Sequence, residues 1–271
     1  MIRLIRWQVA AVTAVLLSVA VVAPNTLLAG PVDQKGTSSP DIAPFQSAQF
    51  DLKGFVRLDG ITVDVSGQGS LAPPDRSAGT YKFGPFTLET VTIGSTVYAR
   101  SRFEPRWEAQ EIPSELPVNV GPIVASDIFP KGPYTLQGQE RVDGKLTTRW
   151  STDLDLGLLL ALSEFSPTSD DNVRDALKSL KANLEVWVGN DDRLLYKERV
   201  VFTFTVPAIE PQGDPLPGTI DLAMTYSKHN QPVTIQSPVS DEPRRRNVTF
   251  PKLQSLYRGI HETGLGSTTG G

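Results

Sequence analysis

The 271 residues carry 26 basic and 30 acidic side chains, a formal net charge of −4, and no cysteine. That balance excludes the basic stripe that nucleic acid phosphates require, and the missing cysteine excludes a disulfide framework, a thiolate nucleophile and cysteine-ligated metals. With 39% apolar residues the chain can bury a core, whereas two histidines, His229 and His261, are too few for a usual zinc site.

Arg3 and Arg6 precede an apolar run from Val9 to Ala23, and small residues follow at Ala29 and Gly30. The run is about fifteen residues long, short of the ~20 that span a bilayer as a helix. It predicts a signal peptide over 1–29, with an uncleaved membrane anchor as the alternative. Either outcome puts the remainder outside the cytoplasm, in the cell envelope or beyond it. Residues 30–46 lack periodicity and predict a flexible linker. Residues 47–238 predict one domain, and 239–271 a polar, largely disordered tail.

Alternation begins near Ser47. Phe50, Leu52, Val56 and Leu58 share a face, and Asp51, Lys53 and Arg57 oppose it. Asp59-Gly60 is a hairpin signal, after which Ile61, Val63 and Val65 resume the apolar face, with Gly67 and Gly69 on it. Beyond the turn at Pro73-Pro74-Asp75-Arg76, three strand-like runs are expected at Gly79–Phe83, Phe86–Ile93 and Thr96–Arg100. Phe103 to Pro133 is Pro-rich and irregular, with a short helix expected at Val120–Phe129. Strands return at Tyr134–Val142 and Lys145–Thr152, joined through Asp143-Gly144.

The period then changes. Asp153 or Asp155 is placed to cap a helix in which Leu154, Leu156, Leu158, Leu159, Leu160, Leu162 and Phe165 leave almost no polar face. Such a helix must be covered on all sides. A second helix starts at Ser169, where Val173, Ala176, Leu177 and Leu180 follow amphipathic spacing. After Asn183 come a short strand with Leu184, Val186 and Val188, and a turn at Asn190-Asp191-Asp192. A long strand from Leu194 to Val206 follows, with Tyr196, Val200, Phe202, Phe204 and Val206 on one face. Pro207–Pro217 reads as a loop and Thr219–Ser227 as the last strand. Strands, two helices, then strands predict an α+β fold: a strongly curved antiparallel sheet, an open half-barrel, with two helices on its concave face.

Three segments resemble the LppX/LprA/LprF/LprG lipoprotein family, within the LolA-like half-barrel lipid carriers. They are the hairpin Gly138-Gln139-Glu140-Arg141-Val142-Asp143-Gly144 with Trp150, the hairpin Val186-Trp187-Val188-Gly189-Asn190-Asp191-Asp192, and the closing stretch Tyr226–Ile235. The likeness runs from about Phe50 to Pro238. It implies an apolar cavity between sheet and helices that takes acyl chains of lipids or glycolipids. Family members are tethered through a lipidated cysteine, which this chain lacks.

Candidate cavity residues are Leu156, Leu159, Leu160, Leu162 and Phe165 on the first helix and Leu177 on the second. Phe202 and Phe204 on the long strand and Trp150 beside the helices join them. Trp107 and Phe129, in the Pro-rich segment, are candidates for a flap over the cavity mouth. Plain core packing is the competing reading for all of them. No catalytic residue, metal ligand or cofactor is expected. Asn190-Asp191-Asp192 offers too few oxygens for calcium, and His229 has no nucleophile motif to serve. The leading expectation is non-catalytic binding and transport of lipid or acylated glycolipid by a monomer, with a membrane or transporter as partner and no nucleic acid. The alternatives are an envelope sensor or interaction module, a domain with a filled core, and an enzyme using carboxylates such as Glu104 and Glu108.

Overall fold

A computed structural model describes residues 39–102, 105–111, 133–154, 178–207 and 213–238. Eleven strands form one antiparallel sheet. They are β1 (Ala48–Leu58), β2 (Ile61–Ala72), β3 (Arg76–Phe83), β4 (Phe86–Ile93), β5 (Thr96–Ser101) and β6 (Glu108–Glu111). The remainder are β7 (Thr135–Val142), β8 (Lys145–Leu154), β9 (Lys181–Gly189), β10 (Leu195–Val206) and β11 (Leu216–Ser227). Their order is β6-β5-β4-β3-β2-β1-β11-β10-β9-β8-β7. The sheet is not closed into a barrel: β6 and β7 stand at its two ends.

Two meanders, β1 to β6 and β7 to β11, are joined by the pairing of β1 with β11. Hairpin chemistry sets the registers. Asp59 and Gly60 both take positive φ (48° and 74°), as do Asp143 and Gly144 (47° and 79°), the conformation a tight two-residue hairpin turn requires. Gly84 and Gly94 supply left-handed positions in the β3–β4 and β4–β5 hairpins.

Alternation puts one apolar side chain in two on a common face, and that face holds the core. Phe50, Leu52, Val56 and Leu58 of β1, Ile220 and Leu222 of β11, Val200, Phe202, Phe204 and Val206 of β10, and Leu184 and Val186 of β9 are all buried there. The sheet has little apolar surface to hide on its other side, where Asp51, Lys53 and Arg57 alternate with that set, as expected.

Several boundaries differ from the sequence reading. Leu154, expected at the head of a helix, is the last residue of β8 and is buried facing Ala182. Leu180 and Lys181, expected in the second helix, lie just before and at the start of β9. The leucine periodicity extended the helical signal into strand residues at both ends. β6 forms within the Pro-rich segment, and β11 starts at Leu216 in spite of Pro217 and Gly218. The two expected helices (155–177 of that span) and the short helix at 120–129 lie outside the described residues. Of the expected linker, residues 41–45 lie against the domain: Ala43 N donates to Arg193 O, Asp41 pairs with Arg193, and Ile42 and Phe45 pack on the core.

Candidate functional site

The apolar face becomes a site through one row of cross-strand neighbours. Trp150 faces Val186, Val186 faces Glu198, Glu198 faces Met224, and Met224 faces Leu52. The row continues through Gly67 to Tyr81 and Leu88. Glu198 is therefore a carboxylate set among apolar side chains in the middle of the sheet, and it is only 3% exposed.

A buried carboxylate must be hydrogen-bonded or its cost is several kcal/mol. The Tyr226 hydroxyl, one pair further along β11, donates to Glu198 Oε1 at 2.5 Å. Burial raises the Tyr226 phenol well above its ordinary range, and the neighbouring Glu198 charge raises it further. Tyr134, just before β7, is raised for the same two reasons in the same order, so it too stands within reach of that charge. Glu198 with Tyr226 and Tyr134 is the polar centre of an otherwise apolar surface. Sequence reading missed Glu198, which was passed over between Tyr196 and Val200. The available signal was its i, i+2, i+4 relation to Val200 and Phe202.

A β-bulge between Leu195 and Lys197 moves Tyr196 off the face that alternation assigns it. It puts Leu195 on the core face and frees Tyr196 from it. Tyr196 instead donates to Asp192 Oδ2 at 2.6 Å and rests edge-on against His229. Burial would raise Asp192, but the bonds from Tyr196 and the Leu194 amide, with Lys145 nearby, hold it below the ordinary carboxylate value. The turn Asn190-Asp191-Asp192 thus closes a hairpin. Among the described residues no cluster of His, Cys, Asp and Glu could hold a metal ion.

His229 Nε2 lies 2.8 Å from Leu195 O, and its ring meets Phe45 edge-on. With Asn230 N donating to Ser47 O and Gln46 N to Asn230 Oδ1, it ties the chain after β11 to the start of β1. The histidine is a structural tie.

Towards β3 and β4 the face changes character. Gly67, Gly69 and Gly79 form a floor on which the Phe50 and Tyr81 rings lie stacked, 6.1 Å apart at 25°. A methyl group at Gly69 would sit 2.6 Å from Phe50 Cζ, and one at Gly67 2.8 Å from Tyr81 Cδ1. Burial pushes the Tyr81 phenol up to about 12, with the Thr90 hydroxyl opposing part of the rise. That hydroxyl and the one on Thr92, both buried, close no well-formed hydrogen bond.

The opposite face is charged and tightly paired. Glu185 accepts from both Arg149 and Arg199, and Arg199 also makes a two-bond pair with Asp221 at 2.6 and 2.8 Å. Asp221 is the main reason the Arg199 guanidinium holds its proton more strongly than usual. Trp187 lies on this face, under Arg149 and Lys197, and donates its indole N–H to Glu140.

Among the residues expected to line a cavity, Phe202 and Phe204 are buried on the apolar face and Trp150 packs half-buried against the same core. Trp107 stacks under Arg100, 4.7 Å from its guanidinium, at the β5–β6 end, far along the sheet from Trp150. Leu156, Leu159, Leu160, Leu162, Phe165, Leu177 and Phe129 lie outside the described residues, as does Glu104. Glu108 is exposed on β6.

No family model matches the chain, and no curated protein matches it. Among solved structures it is similar to LprF from Mycobacterium bovis, at 16% identity and a TM-score of 0.41, over 72% of this chain and 90% of that one. It is similar to the lipoprotein LppX from Mycobacterium tuberculosis at 15% identity and a TM-score of 0.36, over 71% and 90%. A LolA superfamily protein from Nitrosomonas europaea matches at 10% identity and a TM-score of 0.28, over 71% and 89%.

Proposed function

We propose that this chain is a non-catalytic carrier that shields acyl chains of a lipid or acylated glycolipid against the apolar face of its open sheet, in the cell envelope of a bacterium. The observation that supports this reading is the one-sided sheet. Its apolar face runs from Trp150 on β8 to Tyr81 on β3, and in the row between those two the one charged side chain among the described residues is the buried Glu198. Each methylene moved from water onto such a surface contributes about 0.8 kcal/mol, so acyl chains bind with little regard for what is attached to them. The polar centre at Glu198, Tyr226 and Tyr134 gives one fixed point at which a hydroxyl or other donor of the ligand would be read.

The leucine-rich stretch from Leu156 to Phe165, with Leu177, supplies the other wall in this reading. Trp107 and Phe129 are assigned to a cover over the face in the same reading. The signal-like segment at 1–29 delivers the chain across the cytoplasmic membrane, and its partner is a membrane or a transporter that gives or takes the ligand.

Native mass spectrometry of the protein purified from its own envelope, followed by solvent extraction, tests the proposal. A stoichiometric lipid is the expected result. A ligand-free mass that stays unchanged after incubation with mixed phospholipids and glycolipids overturns it and favours the sensor or interaction module.

A further inference from the structure

The apolar face turns polar over β3 and β4. Thr90 continues the row Phe50, Gly69, Gly79, so its side chain lies on the same face as the core. Thr92, two residues on, extends the neighbouring row Ala48, Leu71, Ser77. Thr90 is 4% exposed and Thr92 0%, and Ser77, the partner of Thr92, is buried as well. A methyl group at Gly79 would stand 2.9 Å from the Tyr81 hydroxyl, which puts that hydroxyl above the cross-strand neighbour of Thr90. Ser77, Tyr81, Thr90 and Thr92 thus gather buried hydroxyls across two adjacent strands, with the small Ala99 and Val97 beside the threonines on β5.

Other buried hydroxyls are satisfied. Ser47, Thr147 and Thr152 donate to the main-chain carbonyls of Gln231, Glu140 and Asp153. The Thr90 and Thr92 hydroxyls close no well-formed bond among the described residues, although Thr90 stands near the Tyr81 phenol. A buried hydroxyl left without a bond is destabilising, and valine offers nearly the same shape and a good strand propensity without it. The face does use valine at Val56, Val186 and Val200, all buried. Threonine at 90 and 92 therefore supplies hydroxyls where shape alone asks for none. Strand geometry spreads the four groups over a patch of about 7 by 5 Å, a span that alcohol groups on a lipid can bridge and one water cannot.

We propose that Thr90 and Thr92, with Ser77 and Tyr81, bind alcohol hydroxyls of the ligand. The inference rests on the carrier reading and names its substrate class, a hydroxyl-bearing lipid in place of a plain acyl ester. The acyl chains then run from this patch across β1 and β11 toward β10 and β9, where the buried side chains are Leu52, Leu222, Phe202 and Leu184.

The full chain, stripped of bound lipid, is titrated with methyl oleate, methyl ricinoleate and monoolein, whose acyl chains are equally long. Methyl oleate has no hydroxyl, methyl ricinoleate has one along its chain, and monoolein has its hydroxyls in the head. Native mass spectrometry reads the dissociation constants. At least one hydroxylated probe is expected to bind about tenfold more tightly than methyl oleate. Preference for monoolein places the alcohol in a headgroup, and preference for methyl ricinoleate places it on the chain. T90V/T92V should remove the preference and leave methyl oleate binding as it was. T90S/T92S keeps both hydroxyls and should keep the preference, with circular dichroism checking that each variant folds. Without ligand, T90V/T92V should melt no lower than the wild type. A clear drop would mean that both hydroxyls are bonded in the ligand-free protein, and overturns the proposal. Equal binding of the three probes by the wild type overturns it too, as does a preference that survives in T90V/T92V. Methyl oleate bound without preference sinks the hydroxyl site alone, whereas a wild type that binds none of the probes sinks the carrier reading with it.

Discussion

The Tyr226 hydroxyl donates a 2.5 Å hydrogen bond to Glu198, and both side chains are almost sealed from solvent on the apolar face of the sheet. Removing Glu198 takes this acceptor from the buried Tyr226 hydroxyl. Glu198→Ala is expected to cost about 1–3 kcal/mol by leaving a buried hydroxyl without this acceptor. Glu198→Gln keeps an oxygen in place and should cost less. Replacing both, as Glu198→Met with Tyr226→Phe, should be milder than the sum of the single changes. Urea unfolding of these variants, together with the single changes Glu198→Met and Tyr226→Phe, measures this. Strict additivity would show that the two residues act independently.

The phenols set an alkaline limit. Burial raises Tyr81 to about 12, and burial with the Asp192 bond brings Tyr196 to about 12 as well. Tyr226 is raised well above its ordinary value too, by burial first and then by the Glu198 charge. A group whose folded pKa exceeds its unfolded value of 10.0 lends full stability below that value and loses it as pH climbs through the folded one. The melting temperature should therefore hold up to about pH 10 and fall steeply between 10 and 12, with phenolate absorbance appearing in step with unfolding. Early, reversible ionisation of these tyrosines in the folded protein would contradict the burial described. Asp192 acts in the opposite sense at the acid end: its lowered pKa contributes stability above the ordinary 3.8 that is lost as pH drops through the folded value.

Strand positions were legible wherever alternation was clean and a two-residue turn intervened. Asp59-Gly60 and Asp143-Gly144 announced their hairpins, and Phe50 to Leu58 showed its buried face without help. Legibility failed where two signals overlapped. Leu154 sits in a leucine run whose spacing suits a helix, yet its pairing with Ala182 makes it strand. Tyr196 keeps the parity of Val200 and Phe202, and only a bulge, invisible in the residues themselves, moves it off their face. Glu198 was hidden for a different reason. A carboxylate in an alternating strand is assigned to water by default, and the donor that permits its burial lies on another strand, 28 residues away.

The glycine floor under Phe50 and Tyr81 is a packing requirement. At Gly69 a methyl group meets the Phe50 ring at 2.6 Å and the backbone of β3 on its other side. Gly69→Ala should cost about 1–3 kcal/mol, the usual range for overpacking a core. Pairing it with Phe50→Leu, which removes the ring edge, should recover part of the loss. Gly94→Ala is the comparison, because a methyl group there meets nothing within 4 Å and pays only for its positive φ. Thermal melts that rank Gly69→Ala milder than Gly94→Ala would refute the ring-on-glycine packing.

Glu185 holds the charged face together, since it is the shared acceptor of Arg149 and Arg199 and only 12% of its side chain is exposed. The arginines are about a third exposed, so screening by water reduces what each pair contributes. Glu185→Ala is expected to cost about 1–3 kcal/mol, between the values for surface and fully buried pairs. Asp221 keeps its two bonds to Arg199 in that variant, so the loss falls mainly on the β8–β9 side, where Arg149 has Glu185 as its carboxylate. Amide hydrogen exchange should accordingly speed up in β8 more than in β11. Equal acceleration in both strands, or a loss confined to β11, would mean that Arg199 and not Glu185 organises the face.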